Sequence, residues 1–151
     1  MKGNIKYPEK TEKALALWVK LSRAYNSFSK KATENIKEFD LTLPQFGAIE
    51  CLGHLGAMTI GQLSSKHLVS GGNMTFVIDN LEKQELVERV LNKQDRRTII
   101  VRLTPKGKKL FDTVFSKHAD YLTSLVSALS EKEVEQLSAL LKKLGTSIKD
   151  V

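Results

Sequence analysis

The sequence is poor in cysteine and has no long apolar run. Cys51 is the one cysteine in 151 residues, so no internal disulfide can form, and a reducing cytoplasm is the expected compartment. No stretch of eighteen apolar residues occurs, and the first ten residues, MKGNIKYPEK, lack the apolar region of a secretion signal. We therefore expect neither a membrane-spanning helix nor an exported chain.

The sequence also lacks the spacings that catalysis and metal binding require. No Ser/His/Asp or Cys/His pairing, paired acids or phosphate-binding loop occurs, which argues against an enzyme and against a bound cofactor. His54 lies three residues after Cys51 and could share a metal with His67 or His118, but the four residues are not clustered, and no metal site is predicted. Cys51 is expected to be a packing residue, with a redox role as the alternative.

Basic residues outnumber acidic ones, and the excess is concentrated in one short segment. The formal net charge is +7. Residues 88–109 carry eight basic and two acidic side chains, which is nearly all of that excess. A solvated surface spreads its cations more evenly, so this cluster indicates a surface for a polyanion.

The first predicted helix is unusually long. Apolar residues recur at steps of three and four from roughly Glu9 to Lys37, which predicts a helix about 40 Å in length. One small domain cannot cover a helix of that length. We therefore expect part of it to meet a partner chain.

Capping residues predict the next three helices. Thr42 precedes a helix that ends near Gly56 and turns four residues inward, namely Phe46, Ile49, Leu52 and Leu55. The pair Thr59 and Gln62 opens a short helix that stops near Val69. Ser70 then caps a fourth helix, which buries Met74, Val77, Ile78 and Leu81.

A hairpin and two further helices complete the prediction. VERVL at 87–91 and TIIVRL at 98–103 are short, rich in β-branched residues and separated by a polar segment. Thr104 and Pro105 start a helix through Leu129, and a capping box at Ser130 starts a last helix that Gly145 ends. The fold class is therefore mainly α with a two-stranded β ribbon.

The fourth helix has an outer face suited to the bases of DNA. Gly72, Asn73 and Thr75 are small or hydrogen-bonding, so that face could approach base edges in the major groove. Phe76 could contact a thymine methyl group or pack on the neighbouring helix. A short helix pair followed directly by a basic hairpin is typical of a reader of duplex DNA.

The tip of the hairpin carries Lys93, Asp95, Arg96 and Arg97. An arginine at such a tip can enter a narrow A·T-rich minor groove, where the negative potential is strongest. We expect Arg97 or Arg96 to insert and the carboxylate of Asp95 to orient the guanidinium. The alternative is a solvated turn without a binding role.

Residues 70–110, SGGNMTFVIDNLEKQELVERVLNKQDRRTIIVRLTPKGKKL, resemble the core of the MarR family of bacterial winged helix-turn-helix regulators. The shared features are the capped helix, the pattern L-x-x-x-x-L-V-x-R, the D-R-R of the wing and the L-T-x-x-G that opens the next helix. The resemblance implies a single domain over 1–151, with a DNA-binding region at 41–104 and dimerisation helices at 1–40 and 105–151.

The resemblance also implies a function and a set of contacts. It implies a homodimer on a pseudo-palindromic operator, with repression relieved by a small molecule or by oxidation. The expected DNA-binding residues are Thr59, Gln62, Ser70, Gly72, Asn73, Thr75, Phe76, Lys93, Asp95, Arg96 and Arg97.

A small aromatic effector could bind where the first, second and fifth helices are expected to meet. The residues expected there are Trp18, Phe39, Phe46, Cys51 and Tyr121, which are equally good core residues. The alternative function is a small-molecule or redox sensor whose winged helix serves protein contacts.

Overall fold

The computed structural model describes residues 6–67, 71–92, 95 and 97–148. The predictions for Val69, Ser70, Lys93 and Arg96 fall outside these ranges. The backbone forms two compact units, Met1–Leu43 and Pro44–Val151. The division into dimerisation helices and a DNA-binding region stays a prediction.

The first unit is dominated by one helix, α1 (Glu9–Lys37), which has the predicted bounds. Glu9 and Glu12 lie in its first turn, where the positive end of the helix dipole favours acidic side chains. Asn35 and Ile36 are the buried residues of this helix, whereas Trp18 and Tyr25 are each 67% exposed. Most of the predicted apolar stripe is therefore uncovered within one chain.

The second unit contains five helices and one hairpin within its described residues. The hairpin strands are antiparallel, with Val87 opposite Leu103 at one end and Leu91 opposite Ile99 at the other. The elements are α2 (Leu43–Leu55), α3 (Ile60–His67), α4 (Gly71–Lys83), β1 (Val87–Leu91), β2 (Ile99–Leu103), α5 (Pro105–Leu125) and α6 (Glu131–Ile148).

A backbone bridge ties the ribbon to the turn between α2 and α3. The Met58 N–H donates to the Val101 carbonyl at 3.1 Å, and the Val101 N–H donates to the Met58 carbonyl at 2.8 Å. A two-stranded ribbon is marginally stable alone. This bridge therefore fixes the ribbon beside the helix-turn-helix.

The core of the second unit lies between α2, α3, α4 and the ribbon. The predicted inner face of α4 is confirmed, since its four apolar residues are all at most 5% exposed. Phe46, Ile49 and Leu52 of α2 are buried as predicted. The prediction for Leu55 was wrong: it is 59% exposed, because α2 ends at this residue and the chain turns away at Gly56, whose φ is +79°.

The junction of α4, β1 and α5 is held by backbone hydrogen bonds around Leu86. The Leu86 N–H donates to the Leu81 carbonyl at 2.9 Å, and Glu85 adopts a left-handed φ of 60°, which together end α4 in a Schellman motif. The Thr104 N–H donates to the Leu86 carbonyl at 3.1 Å. Thr104 is the predicted cap of α5, since its hydroxyl accepts from the Gly107 N–H at 3.0 Å.

Two predicted helix ends were wrong. Helix α5 ends at Leu125 rather than Leu129, because a hydrogen-bonded turn precedes the start of α6. The confirmed capping box there joins the Ser130 N–H to the Glu133 carboxylate at 2.8 Å. Gly145 lies inside α6, which continues to Ile148, since one glycine costs an otherwise regular helix only about 1 kcal/mol.

Gly107 leaves no room for a side chain, and this generates a stability prediction. A Cβ at position 107 would lie 1.9 Å from the Leu86 carbonyl oxygen. We expect Gly107→Ala to lower the free energy of unfolding by about 3 kcal/mol, because either α5 or the α4–β1 turn must shift. The measurement is denaturant unfolding at a fixed protein concentration.

Gly145 provides the matched control, because a Cβ there would meet nothing within 4 Å. Gly145→Ala is expected to raise the free energy of unfolding by about 0.5–1 kcal/mol, since alanine is the better helix former. Equal stabilities for the wild-type protein and Gly107→Ala would contradict the close contact at Leu86.

Candidate nucleic-acid interface

The short helix α3 is opened by the predicted capping pair. The Thr59 N–H donates to the Gln62 side-chain oxygen at 2.8 Å, and the Gln62 N–H donates to the Thr59 hydroxyl at 3.2 Å. This reciprocal capping explains both residues structurally. Their predicted contact with DNA stays a prediction.

The outer face of α4 is open to solvent in the predicted pattern. Gly72, Asn73, Thr75 and Phe76 are exposed, while the opposite face of the helix forms the core. Phe76 is 65% exposed, so it does not pack in the core of its own chain. An apolar ring on this face is therefore available to a partner.

The turn of the ribbon is organised by Asp95. Its carboxylate accepts the Arg97 backbone N–H at 3.0 Å and the Thr98 hydroxyl at 2.8 Å. The Thr98 hydroxyl and then the Arg97 N–H lower the pKa of Asp95, because both hydrogen bonds favour the ionised carboxylate. Asp95 thus contacts Arg97 through the backbone N–H of that residue. The prediction that its carboxylate orients the guanidinium of Arg97 or Arg96 stays a prediction, and Arg96 lies outside the described residues.

Among the described cations of residues 88–109, three side chains have contacts within the chain. Arg102 pairs with Glu88 at 2.7 Å, Lys106 donates to the Gln84 carbonyl at 2.8 Å, and Arg89 is paired with two carboxylates. Arg97 is exposed, and its guanidinium makes no ion pair within the described part of the chain. A charge count alone could not find this difference.

The predicted effector residues are divided between the two units. Trp18 is exposed and Phe39 half-buried in the first unit. In the second unit Phe46 is buried, while Cys51 and Tyr121 are half-buried. The shared effector cleft stays a prediction.

Cys51 and His118, which were considered together above as possible metal ligands, have shifted pKa values. Burial raises the pKa of the Cys51 thiol, which disfavours the reactive thiolate. Burial lowers the pKa of His118, an effect that Glu50 partly opposes, and the His118 ring meets Phe46 edge-on at 4.8 Å. Over the described residues, no group of three His, Cys, Asp or Glu side chains is placed to hold a metal ion.

Comparison with known sequences identifies the family of this protein. The model of the MarR family matches residues 41–99, which run from just before α2 to the start of β2. The chain is 37% identical over 139 residues to the HTH-type transcriptional regulator MhqR of Bacillus subtilis (strain 168), covering 92% of this chain and 96% of that protein. The chain belongs to the MarR family. It is therefore a DNA-binding transcriptional regulator and not an enzyme.

Solved MarR structures share the fold. A MarR family protein from Bacillus stearothermophilus is 25% identical with a TM-score of 0.72, and the match covers 95% of this chain and 99% of that one. A mutant of MarR from E. coli, solved in complex with operator DNA, is 24% identical with a TM-score of 0.75, over 91% and 99% of the two chains. The winged helix-turn-helix prediction is thus confirmed.

Of the helices in the described ranges, none is long and apolar enough to cross a membrane.

The Asp95 contacts generate a prediction for DNA affinity. We expect Asp95→Ala to weaken DNA binding about threefold to tenfold with little change in melting temperature, because the turn that presents Arg97 loses both carboxylate hydrogen bonds. Fluorescence anisotropy with a labelled duplex measures the affinity.

Asp95→Asn is the control, since an asparagine oxygen can still accept the Arg97 N–H. It should bind more tightly than Asp95→Ala. Wild-type affinity in the alanine variant would show that the carboxylate has no part in presenting Arg97.

Proposed function

We propose that each chain places α4 in the major groove of DNA and Arg97 in the adjacent minor groove. The observation that supports this mode is that α4 and the ribbon turn both expose contacting groups. Helix α4 exposes a polar face, and Arg97 is exposed on the ribbon, which the backbone bridge between Met58 and Val101 ties to the helix-turn-helix. Asn73 and Thr75 offer hydrogen-bonding groups to base edges, and Phe76 offers an apolar ring to a thymine methyl group. Arg97 supplies positive charge to a narrow groove.

We also propose that the regulator is a homodimer joined through α1, α5 and α6. Helix α6 has no buried residue, and its leucines Leu137, Leu140 and Leu141 are exposed together with Trp18 and Tyr25 of α1. Exposed apolar surface of this extent is typical of an interface. A two-fold dimer would present two copies of α4 to a pseudo-palindromic operator, whose half-sites lie about one helical turn apart.

The regulator is proposed to act in the cytoplasm as a repressor that a signal releases, as the MarR resemblance implies. Between the two predicted kinds of signal, the raised pKa of Cys51 supports a small molecule over oxidation, because oxidation proceeds through the thiolate. A small aromatic compound fits the predicted effector residues, among which Phe46 and Tyr121 belong to the second unit. These aromatic side chains would contribute edge and face contacts.

Arg97→Ala tests the DNA-binding mode. We expect about a tenfold loss of affinity for a duplex selected by the wild-type protein from a random pool, because the minor-groove contact and one charge are lost. Gel shifts over a series of salt concentrations should also show a shallower salt dependence for the variant.

Lys109→Ala provides the matched control, because it removes one exposed cation of the same segment from α5. It should cost much less affinity than Arg97→Ala. A wild-type protein that selects no duplex at low salt, or equal losses in the two variants, would refute the proposed mode.

Leu140→Glu tests the dimer. Leu140 is 65% exposed in one chain, so a carboxylate there costs the monomer little, whereas burial in a subunit interface would leave its charge unpaired. We expect the dissociation constant of the dimer to rise about tenfold or more, as measured by sedimentation equilibrium.

Leu55→Glu is the matched control, since Leu55 is a similarly exposed leucine outside the terminal helices. It should leave the association unchanged. A wild-type protein that sediments as a monomer at micromolar concentration would contradict the proposed assembly.

A further inference from the structure

Arg89 lies on the face of the ribbon that is turned toward α4. It is the arginine of the L-x-x-x-x-L-V-x-R pattern, and neither the core nor the proposed DNA contacts account for it. Val87 lies two residues before Arg89 on β1, and Val101 lies opposite Arg89 on β2. Both valines are at most 1% exposed. Side chains at alternate positions of a strand share a face, so Arg89 projects from the inner face of the ribbon.

The guanidinium of Arg89 bridges two carboxylates of α4. Its Nη2 donates to Asp79 Oδ1 at 2.6 Å, and its Nη1 donates to Glu82 Oε2. Asp79 and Glu82 are three residues apart, so they share one face of the helix. The side chain of Arg89 is 23% exposed, while those of Asp79 and Glu82 are 47% and 39% exposed, so water screens these ion pairs in part.

Glu82 also holds the backbone of the wing. Its other oxygen, Oε1, accepts the Arg89 N–H at 3.1 Å. One carboxylate therefore binds both the main chain and the side chain of β1. A planar guanidinium with two fixed acceptors permits less rotation than a single charged contact.

We propose that Arg89 is a positioning residue that locks the wing to α4, so that Arg97 and the outer face of α4 reach their two grooves together. This inference rests on the proposed DNA-binding mode. The Arg89 side chain touches no DNA in this arrangement. Its effect on affinity passes through the placement of Arg97.

A second ion pair of the ribbon lies within the hairpin and does not link it to α4. Arg102 and Glu88 are cross-strand partners, joined at 2.7 Å on the opposite face of the ribbon. Both residues belong to the hairpin, so their loss leaves the angle between wing and α4 unchanged. Glu88 and Glu82 therefore form a charge-matched comparison.

The sign of the change in affinity separates positioning from simple electrostatics. Glu82→Ala and Glu88→Ala each remove one negative charge, which by itself strengthens binding to a polyanion. If Glu82 and Arg89 position the wing, Glu82→Ala weakens binding despite the favourable change of charge. Alanine is a strong helix former, so α4 should remain intact, and thermal melting checks this.

The experiment is a set of double-mutant cycles with Arg97→Ala. Affinities are measured by anisotropy on one labelled duplex, selected from a random pool by the wild-type protein. Arg97→Ala is combined with Glu82→Ala, Arg89→Gln, Glu88→Ala and Arg102→Gln. Residues that act through one another show non-additive effects in such cycles.

We expect Arg97→Ala to cost about tenfold in the wild-type, Glu88→Ala and Arg102→Gln backgrounds. In the Glu82→Ala and Arg89→Gln backgrounds it should cost about twofold or less, because the wing no longer delivers the arginine. Glu82→Ala alone should bind about threefold to tenfold more weakly than Glu88→Ala.

Two results would overturn the inference. One is an equal cost of Arg97→Ala in all five backgrounds. The other is a Glu82→Ala variant that binds as tightly as Glu88→Ala. If Arg97→Ala costs nothing in the wild-type protein, the proposed minor-groove contact itself fails, and the role of Arg89 fails with it.

Discussion

The DNA-binding region depends on one rigid junction between helix α4 and the β1–β2 ribbon. Duplex DNA fixes the distance between its two grooves, so a protein that touches both must hold its two contacting elements at a matching distance. Here the backbone of Leu86 joins α4 to the ribbon. Its N–H donates to the Leu81 carbonyl at the end of α4, and its carbonyl accepts the N–H of Thr104, which follows β2. The absence of a side chain at Gly107 permits this approach. The bridge between Met58 and Val101 secures the other side of the ribbon.

The charge of this protein is divided between structure and binding. The formal excess of +7 suggests a broadly attractive surface for DNA. The ion pairs formed by Arg89 and Arg102 show that part of the positive charge on the two strands is neutralised within the chain. Arg97 is left exposed beyond these pairs. The paired arginines therefore stabilise the fold, whereas the exposed Arg97 can meet a polyanion.

Local chemistry explains which features could be predicted from sequence. The caps at Thr59, Thr104 and Ser130 depend on residues three positions apart, and all three form as predicted. The inner face of α4 follows from helical periodicity. The exposure of Leu55 and the end of α5 depend on how separate elements meet, which periodicity does not encode. The double ion pair of Arg89 joins α4 to β1, and a sequence pattern could indicate the arginine but not its partners.

In the proposed binding mode, one chain contacts both grooves of DNA at once. Dimethyl sulfate tests it directly, because this reagent methylates guanine N7 in the major groove and adenine N3 in the minor groove of the same complex. We expect protection of guanine N7 within each half-site and of adenine N3 in the flanking minor groove. Protection of N7 with fully reactive adenine N3 on both flanks would contradict it.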